Sequence, residues 1–267
     1  MSAAEGFYER YVFQPSLDNS FPEDRLTKIT KRIPKDSASL LDIGCGLGRN
    51  LKLFKTLLPD ARLCGIDVAE SAAAHVRSLG FEATACDASV KIPFPDYTFE
   101  VVVCGEVIEH VVDTDNLLVE IHRVLAPHGR LILTTPNLAY APNRLLLLLG
   151  IQPLFTETSL RTNLGRGLKA LGQGNQTEGH LKIFTGPAMR DILRRTNFEI
   201  VSFQGYSWIA PGISGRIDKL LSRLPDFAAG FVVEARPLEK RASVAEARAM
   251  EKRAWLAEAG PLEGRAS

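Results

Sequence analysis

The chain has little with which to staple or anchor itself. Only four of its 267 residues are cysteines, Cys45, Cys64, Cys86 and Cys104, and they form no CxxC pair and have no close histidine partner. That excludes a disulfide framework and argues against a cysteine-based metal centre. The spacings are read as small apolar residues in or near strands of a reduced protein; no metal and no cysteine nucleophile is expected. Long apolar runs are also missing. The longest, LLLLLG at 145–150, falls far short of the ~18 residues of a membrane span. Neither sign of charge dominates, since 32 Lys and Arg against 31 Asp and Glu leave +1. No global field therefore favours nucleic acid or an anionic membrane. The opening MSAAEGFYERYVFQP is acidic early and has no apolar core, unlike a secretory leader. A cytoplasmic protein without membrane span or nucleic-acid partner, a monomer or homodimer, is the expectation.

What the chain does have is a globular composition, 45% hydrophobic and 24% charged, and an alternation of β-branched runs with segments of helical period from residue 39 onward. This pattern predicts an α/β fold, a Rossmann-like parallel sheet covered by helices on both faces. Strands are expected at 39–44, 61–67, 81–87, 99–106, 129–136, 198–207 and 227–237. Helices are expected near 48–58, 70–79, 114–126, 186–196 and 214–223, with Asp113 starting the third of these and Pro127 with Gly129 stopping it. The periodicity breaks down over 137–185, which reads as an insertion or lid on the acceptor side, with NRLLLLLG as a short helix of its own. It follows a strand ending in TTPN, at the sheet edge where open α/β folds bind ligands. A main domain over 1–237 and a helical or disordered tail over 238–267, rich in Ala, Glu, Lys and Arg, complete the division.

Residues 40–50, LLDIGCGLGRN, carry three glycines in a strand-to-helix turn, Gly44, Gly46 and Gly48. A dinucleotide fingerprint wants its third glycine one place later, where Arg49 stands. Asp42 in the strand below suits a ligand with a cationic ammonium and would repel a pyrophosphate. Asp67 ends the second strand, where a carboxylate accepts ribose hydroxyls. Asp87 ends the third, where it accepts from an adenine amine.

With LLDIGCGLGRN, GIDVAE, CDA, FEVVVCGEVIEHV, IHRVLAPHGRLILTTPN and GHLKIFTGPAMRDILRRTNFEIV in this order, the chain resembles the class I S-adenosylmethionine-dependent methyltransferases with the type 11 pattern. The resemblance implies a seven-stranded sheet with an antiparallel last strand and S-adenosyl-L-methionine as cofactor. It implies that Gly44, Cys45, Gly46 and Gly48 line the methionine moiety, that Asp42 orients their loop, and that Asp67 with Val68 binds the ribose. Asp87 and Ala88 would flank the adenine, Cys104, Gly105 and Glu106 would approach the methionine, and Tyr11 or Tyr8 would close over the cofactor. Relatives usually read PGG where this chain has PHG with His128; Arg123 fits their pattern.

Methyl transfer from a sulfonium requires alignment and exclusion of water, and needs a base only for a hydroxyl or a protonated amine. His180 in EGHLKIFT is the expected base and His110 in EVIEHV the second candidate; His75 and His122 fall within helices. Arg144, Arg161, Arg166 and Lys169 make the insertion locally basic, which fits either an anionic acceptor or ordinary surface charge. The expected function is methyl transfer to a small or carrier-linked polar acceptor, oxygen favoured. Methylation of nitrogen, or of a peptide, sugar or lipid-linked precursor, is the alternative. A cofactor-binding regulatory protein is the non-enzyme alternative, and an NAD oxidoreductase is disfavoured by Arg49 and Asp42.

Overall fold

A computed structural model of the chain describes residues 23–165, 177–208 and 213–238. Seven strands form one sheet: β1 (Ser39–Ile43), β2 (Arg62–Asp67), β3 (Glu82–Ala85), β4 (Phe99–Gly105), β5 (Leu125–Pro136), β6 (Phe198–Tyr206) and β7 (Gly230–Pro237). The spatial order is β3-β2-β1-β4-β5-β7-β6. The first five run parallel, and β7 pairs antiparallel with both β5 and β6. The helices are α1 (Glu23–Thr30), α2 (Arg49–Leu57), α3 (Glu70–Ser78), α4 (Thr114–Val124), α5 (Ala141–Leu148), α6 (Gly186–Arg195) and α7 (Ile213–Leu221). The expected seven-stranded fold with an antiparallel last strand is the observed one.

Period-two alternation sorts the central strands into two cores. Leu41, Ile43, Val102, Cys104, Leu131 and Leu133 lie on one face with Leu117, Leu118 and Ile121 of α4 and with Met189 and Leu193 of α6. Leu40, Val101, Val103 and Ile132 lie on the other with Ile29 of α1, Leu51 and Phe54 of α2 and Val76 of α3. Asp42 shares the parity of Leu40 and is equally buried, so one charged residue interrupts an otherwise apolar strand.

Two local readings need correction. The Pro127–Gly129 stretch does not separate α4 from β5; α4 ends at Val124 and the strand begins at Leu125. Pairing with β4 jumps from Phe99↔Leu125 to Val101↔Arg130, so Ala126–Gly129 form a bulge. A Cβ on Gly129 would lie 2.9 Å from the Ala126 carbonyl oxygen, and glycine is required there. Helix α1 had no counterpart in the sequence reading. Asp113 does cap α4, accepting from the Asn116 N–H. His128 is exposed within the bulge, while Arg123 ties α4 to the preceding loop through Glu120, Asp96 and the carbonyls of Ile92 and Phe94.

Among the described residues the insertion begins with α5 and is otherwise irregular, and a parallel bridge between Asn137 and Phe184 closes its base. Of its leucine run only Leu146 is buried; Leu145, Leu147, Leu148 and Leu149 are exposed. Arg166 and Lys169 lie outside the described residues, as do Tyr8, Tyr11 and the tail beyond Leu238.

Candidate active site

The carboxyl ends of β1 to β4 share one edge of the sheet, because parallel pairing aligns Ile43 with Ile66 and with Cys104, and Asp67 with Ala85. The glycine loop leaves β1 at that edge. Its backbone is held to β2, with the N–H groups of Gly44 and Cys45 donating to the Ile66 carbonyl at 2.8 and 3.0 Å. Gly44, Gly46 and Gly48 all adopt left-handed φ, between 48° and 75°, which a side chain strongly disfavours. At Gly44 a Cβ would also meet the Val107 methyl at 2.4 Å, whereas nothing lies within 4 Å of one at Gly46. The loop is thus tightly backed by the β4 exit at one glycine and open at the next.

Asp67 braces this loop. Its carboxylate accepts from the Gly46 N–H at 2.9 Å and from the Ala69 N–H at 3.0 Å, and Val68 between them is half-buried. Asp87 accepts from the N–H and hydroxyl of Ser89 at 2.8 and 2.6 Å and so shapes the turn after β3, with Ala88 buried beside it. Asp42 is different in kind. It is buried, and neither carboxylate oxygen has a hydrogen-bond partner among the described residues. Burial pushes its carboxyl up to about 8; the Asn50 side chain and the Arg25 charge offset part of this, and Asp67 adds to it. A buried acid beside an open glycine turn, its charge suppressed by burial, fits a cationic amino-acid moiety that would restore that charge.

Burial also raises the thiols, to about 12 for Cys64 and Cys86 and further for Cys45 and Cys104. They are protonated lining and core atoms at neutral pH.

The exit of β4 carries a second cluster. Glu106 has φ 56°, and its carboxylate lies 3.2 Å from the Arg25 guanidinium and accepts from the Tyr206 hydroxyl at 3.1 Å. Arg25, delivered by α1, and Tyr206, at the end of β6, escaped the sequence reading. An arginine in EDRLTKIT looks like an ordinary helix surface residue, and nothing local marks it as 2% exposed.

Glu109 is fully buried, accepts from the Thr135 hydroxyl at 2.9 Å, and keeps its other oxygen without a hydrogen-bond partner among the described residues. Its carboxyl is held well above the usual range by burial and by the Glu106 charge. The insertion returns directly onto it, with the N–H groups of Leu181 and Lys182 both donating to the Glu109 carbonyl. Glu157 accepts from the N–H groups of Glu178, Gly179 and His180 and fixes that loop. The result brings His180 against His110, ring centroids 4.8 Å apart.

His110 Nδ1 lies 3.2 Å from the Gly179 carbonyl and His180 Nδ1 lies 2.7 Å from the Phe155 carbonyl. A carbonyl oxygen only accepts, so each ring donates through Nδ1, and His180 Nε2 lies 3.3 Å from the Glu178 carboxylate. Burial, then the neighbouring His180, depress the His110 imidazolium to about 3, so this ring is neutral and a poor base. His122 packs edge-on against Phe198 at 5.3 Å, away from this cluster. Arg144 donates to the Ala139 and Asp226 carbonyls and stacks over Phe227.

Residues 14–203 match the methyltransferase domain family. The chain belongs to the S-adenosylmethionine-dependent methyltransferases. A protein of Mycobacterium tuberculosis named as a probable S-adenosylmethionine-dependent methyltransferase is 30% identical over 199 residues, 73% of this chain and 70% of that one. A Mycolicibacterium smegmatis protein of the same description is 29% identical over 167 residues, and the match spans 62% of each chain. Among solved structures, an S-adenosylmethionine-dependent methyltransferase from Thermotoga maritima superposes with a TM-score of 0.60 at 17% identity, over 88% of this chain and all of that one. Membership of this methyltransferase family implies S-adenosylmethionine as the cofactor, in agreement with the chemistry of the glycine loop and Asp42.

Proposed function

We propose that this methyltransferase acts on a small or carrier-linked polar acceptor and that the acceptor atom is an oxygen. The observation carrying this reading is the pairing of His110 and His180 over Glu109, on the β4 exit that also backs Gly44 through Val107. Bound S-adenosylmethionine supplies an electrophilic methyl group on a sulfonium. Gly44, Cys45, Gly46, Gly48, Cys104, Gly105 and Glu106 would line its methionine part, with Asp42 giving up its proton to balance the positive charge once the cofactor binds. Asp67 and Val68 would hold the ribose, and Asp87 with Ala88 the adenine. His180 then faces the acceptor, and its Nε2 takes the proton that a hydroxyl must lose as its oxygen is methylated. The return segment 177–180, held by Glu157, would keep water from the reacting atoms.

Substitution of Asp67 by Ala is expected to weaken cofactor binding by about 1–3 kcal/mol, read by calorimetry; unchanged affinity refutes the ribose role. The His180→Ala variant is expected to bind cofactor normally and to lose turnover in labelled-methyl incorporation across a panel of alcohols, phenols and carboxylic acids. Full activity retires His180 as the base.

A further inference from the structure

Glu109, His110 and His180 each offer one ligand atom, and the three atoms lie within 4.8 Å of one another. The donor set is two imidazoles and one carboxylate, the combination suited to first-row divalent transition cations. Three further features point the same way. The Glu109 oxygen without a hydrogen-bond partner is fully buried and lies 4.0 Å from His110 Nε2. Both rings anchor Nδ1 on a backbone carbonyl, the arrangement by which ligating histidines are oriented to present Nε2. The remaining Glu109 oxygen is held by Thr135, so the carboxylate is oriented as well.

We propose that Glu109, His110 and His180 form a binding site for a divalent first-row transition cation, in which the open coordination positions receive the acceptor oxygen. Cation donors sit ~2.1 Å from the metal, so binding draws the three atoms together by about an ångström. His180 lies on an irregular segment and supplies that movement, exchanging its 3.3 Å contact with the Glu178 carboxylate for the cation. The binding of the cation is independent of the proposed function. Its role toward the acceptor rests on that reading: with the His180 lone pair on the metal, His180 no longer serves as the base, and the coordinated hydroxyl, acidified by the cation, releases its proton to solvent before the methyl group is transferred.

The test uses the untagged full chain, freed of metal by chelation and titrated with Co²⁺ by calorimetry and visible absorption. One equivalent is expected, with the d–d bands of a nitrogen-and-oxygen site. His180→Asn and His110→Asn are each expected to lower the affinity at least about 100-fold, while Glu178→Gln retains it. Absence of a stoichiometric site, or His variants with unaltered affinity and spectrum, overturns the proposal. The five histidines give a reading without variants: in ¹⁵N-histidine-labelled wild-type protein, Co²⁺ should shift the imidazoles of His110 and His180. Shifts only at His75, His122 or His128 refute the site. Labelled-methyl incorporation into the panel of hydroxyl acceptors, measured on the same samples, separates the two claims, since incorporation without cobalt binding sinks only the metal site, and cobalt binding without incorporation sinks only the oxygen-acceptor reading.

Discussion

A carboxyl raised to about 8 at Asp42 keeps its proton over a pH range in which the unfolded chain has already released it. The folded state then binds more protons than the unfolded state, and the linkage relation makes this group's contribution to stability fall as pH rises from about 4 to about 8. Asp42→Asn removes the dependence. The wild-type protein is expected to lose stability relative to this variant across that interval, with a slope approaching ~1.4 kcal/mol per pH unit, in urea unfolding at pH 5, 6.5 and 8. A constant difference would place Asp42 in a solvated or paired environment. His110, depressed to about 3, contributes with the opposite sign between about 3 and 6.5, which is why the difference between the two proteins, and not the wild-type curve, isolates Asp42. At this scale the sequence singles out candidates by residue type and position, Asp42, Asp67, Asp87, His110 and His180 among them. Burial and missing partners, which set their proton affinities, are properties of the packed chain.

Among the elements, the glycine loop is the one whose conformation has a single chemical solution. Gly44 combines φ 70° with a Cβ position 2.4 Å from the Val107 side chain. Gly44→Ala should therefore cost about 1–3 kcal/mol for the backbone conformation alone, with overpacking against Val107 adding to it, and should weaken cofactor binding as the loop shifts. Thermal unfolding and calorimetry measure both; stability within ~0.5 kcal/mol of wild type would show that the loop relaxes freely. Strands of the parallel core were legible because they are continuous apolar runs bounded by turn residues. The start of β5 was misplaced because Pro127 and Gly129 are usual helix-stop residues, and only pairing with β4 reveals that Leu125 already belongs to the sheet. Helix α1 was missed because its charged face dominates EDRLTKIT, while Ile29 and Arg25 are buried by contacts far away in sequence.

The molecule as a whole should be stabilised by its cofactor, because the loops after β1, β2 and β3 leave one edge of the sheet and, on the proposed reading, must all be folded to bind it. At a ligand concentration 100 times Kd the linkage gain is ~2.7 kcal/mol, which for a domain of this size raises Tm by roughly 5–10 °C. NAD under the same conditions should leave Tm unchanged, and a reversed pattern in a thermal-shift titration would contradict the cofactor assignment. The order of the apolar runs and the placement of Gly44, Gly46, Gly48, Asp67 and Asp87 at successive strand ends were enough to determine the fold class and the methyl donor, since strand period and turn chemistry are local properties. The meeting of His110 with His180, of Arg25 with Glu106, and of the insertion's return segment with the Glu109 carbonyl was decided by tertiary structure alone. These contacts join residues tens of positions apart, and no local periodicity encodes which distant residues the fold brings together.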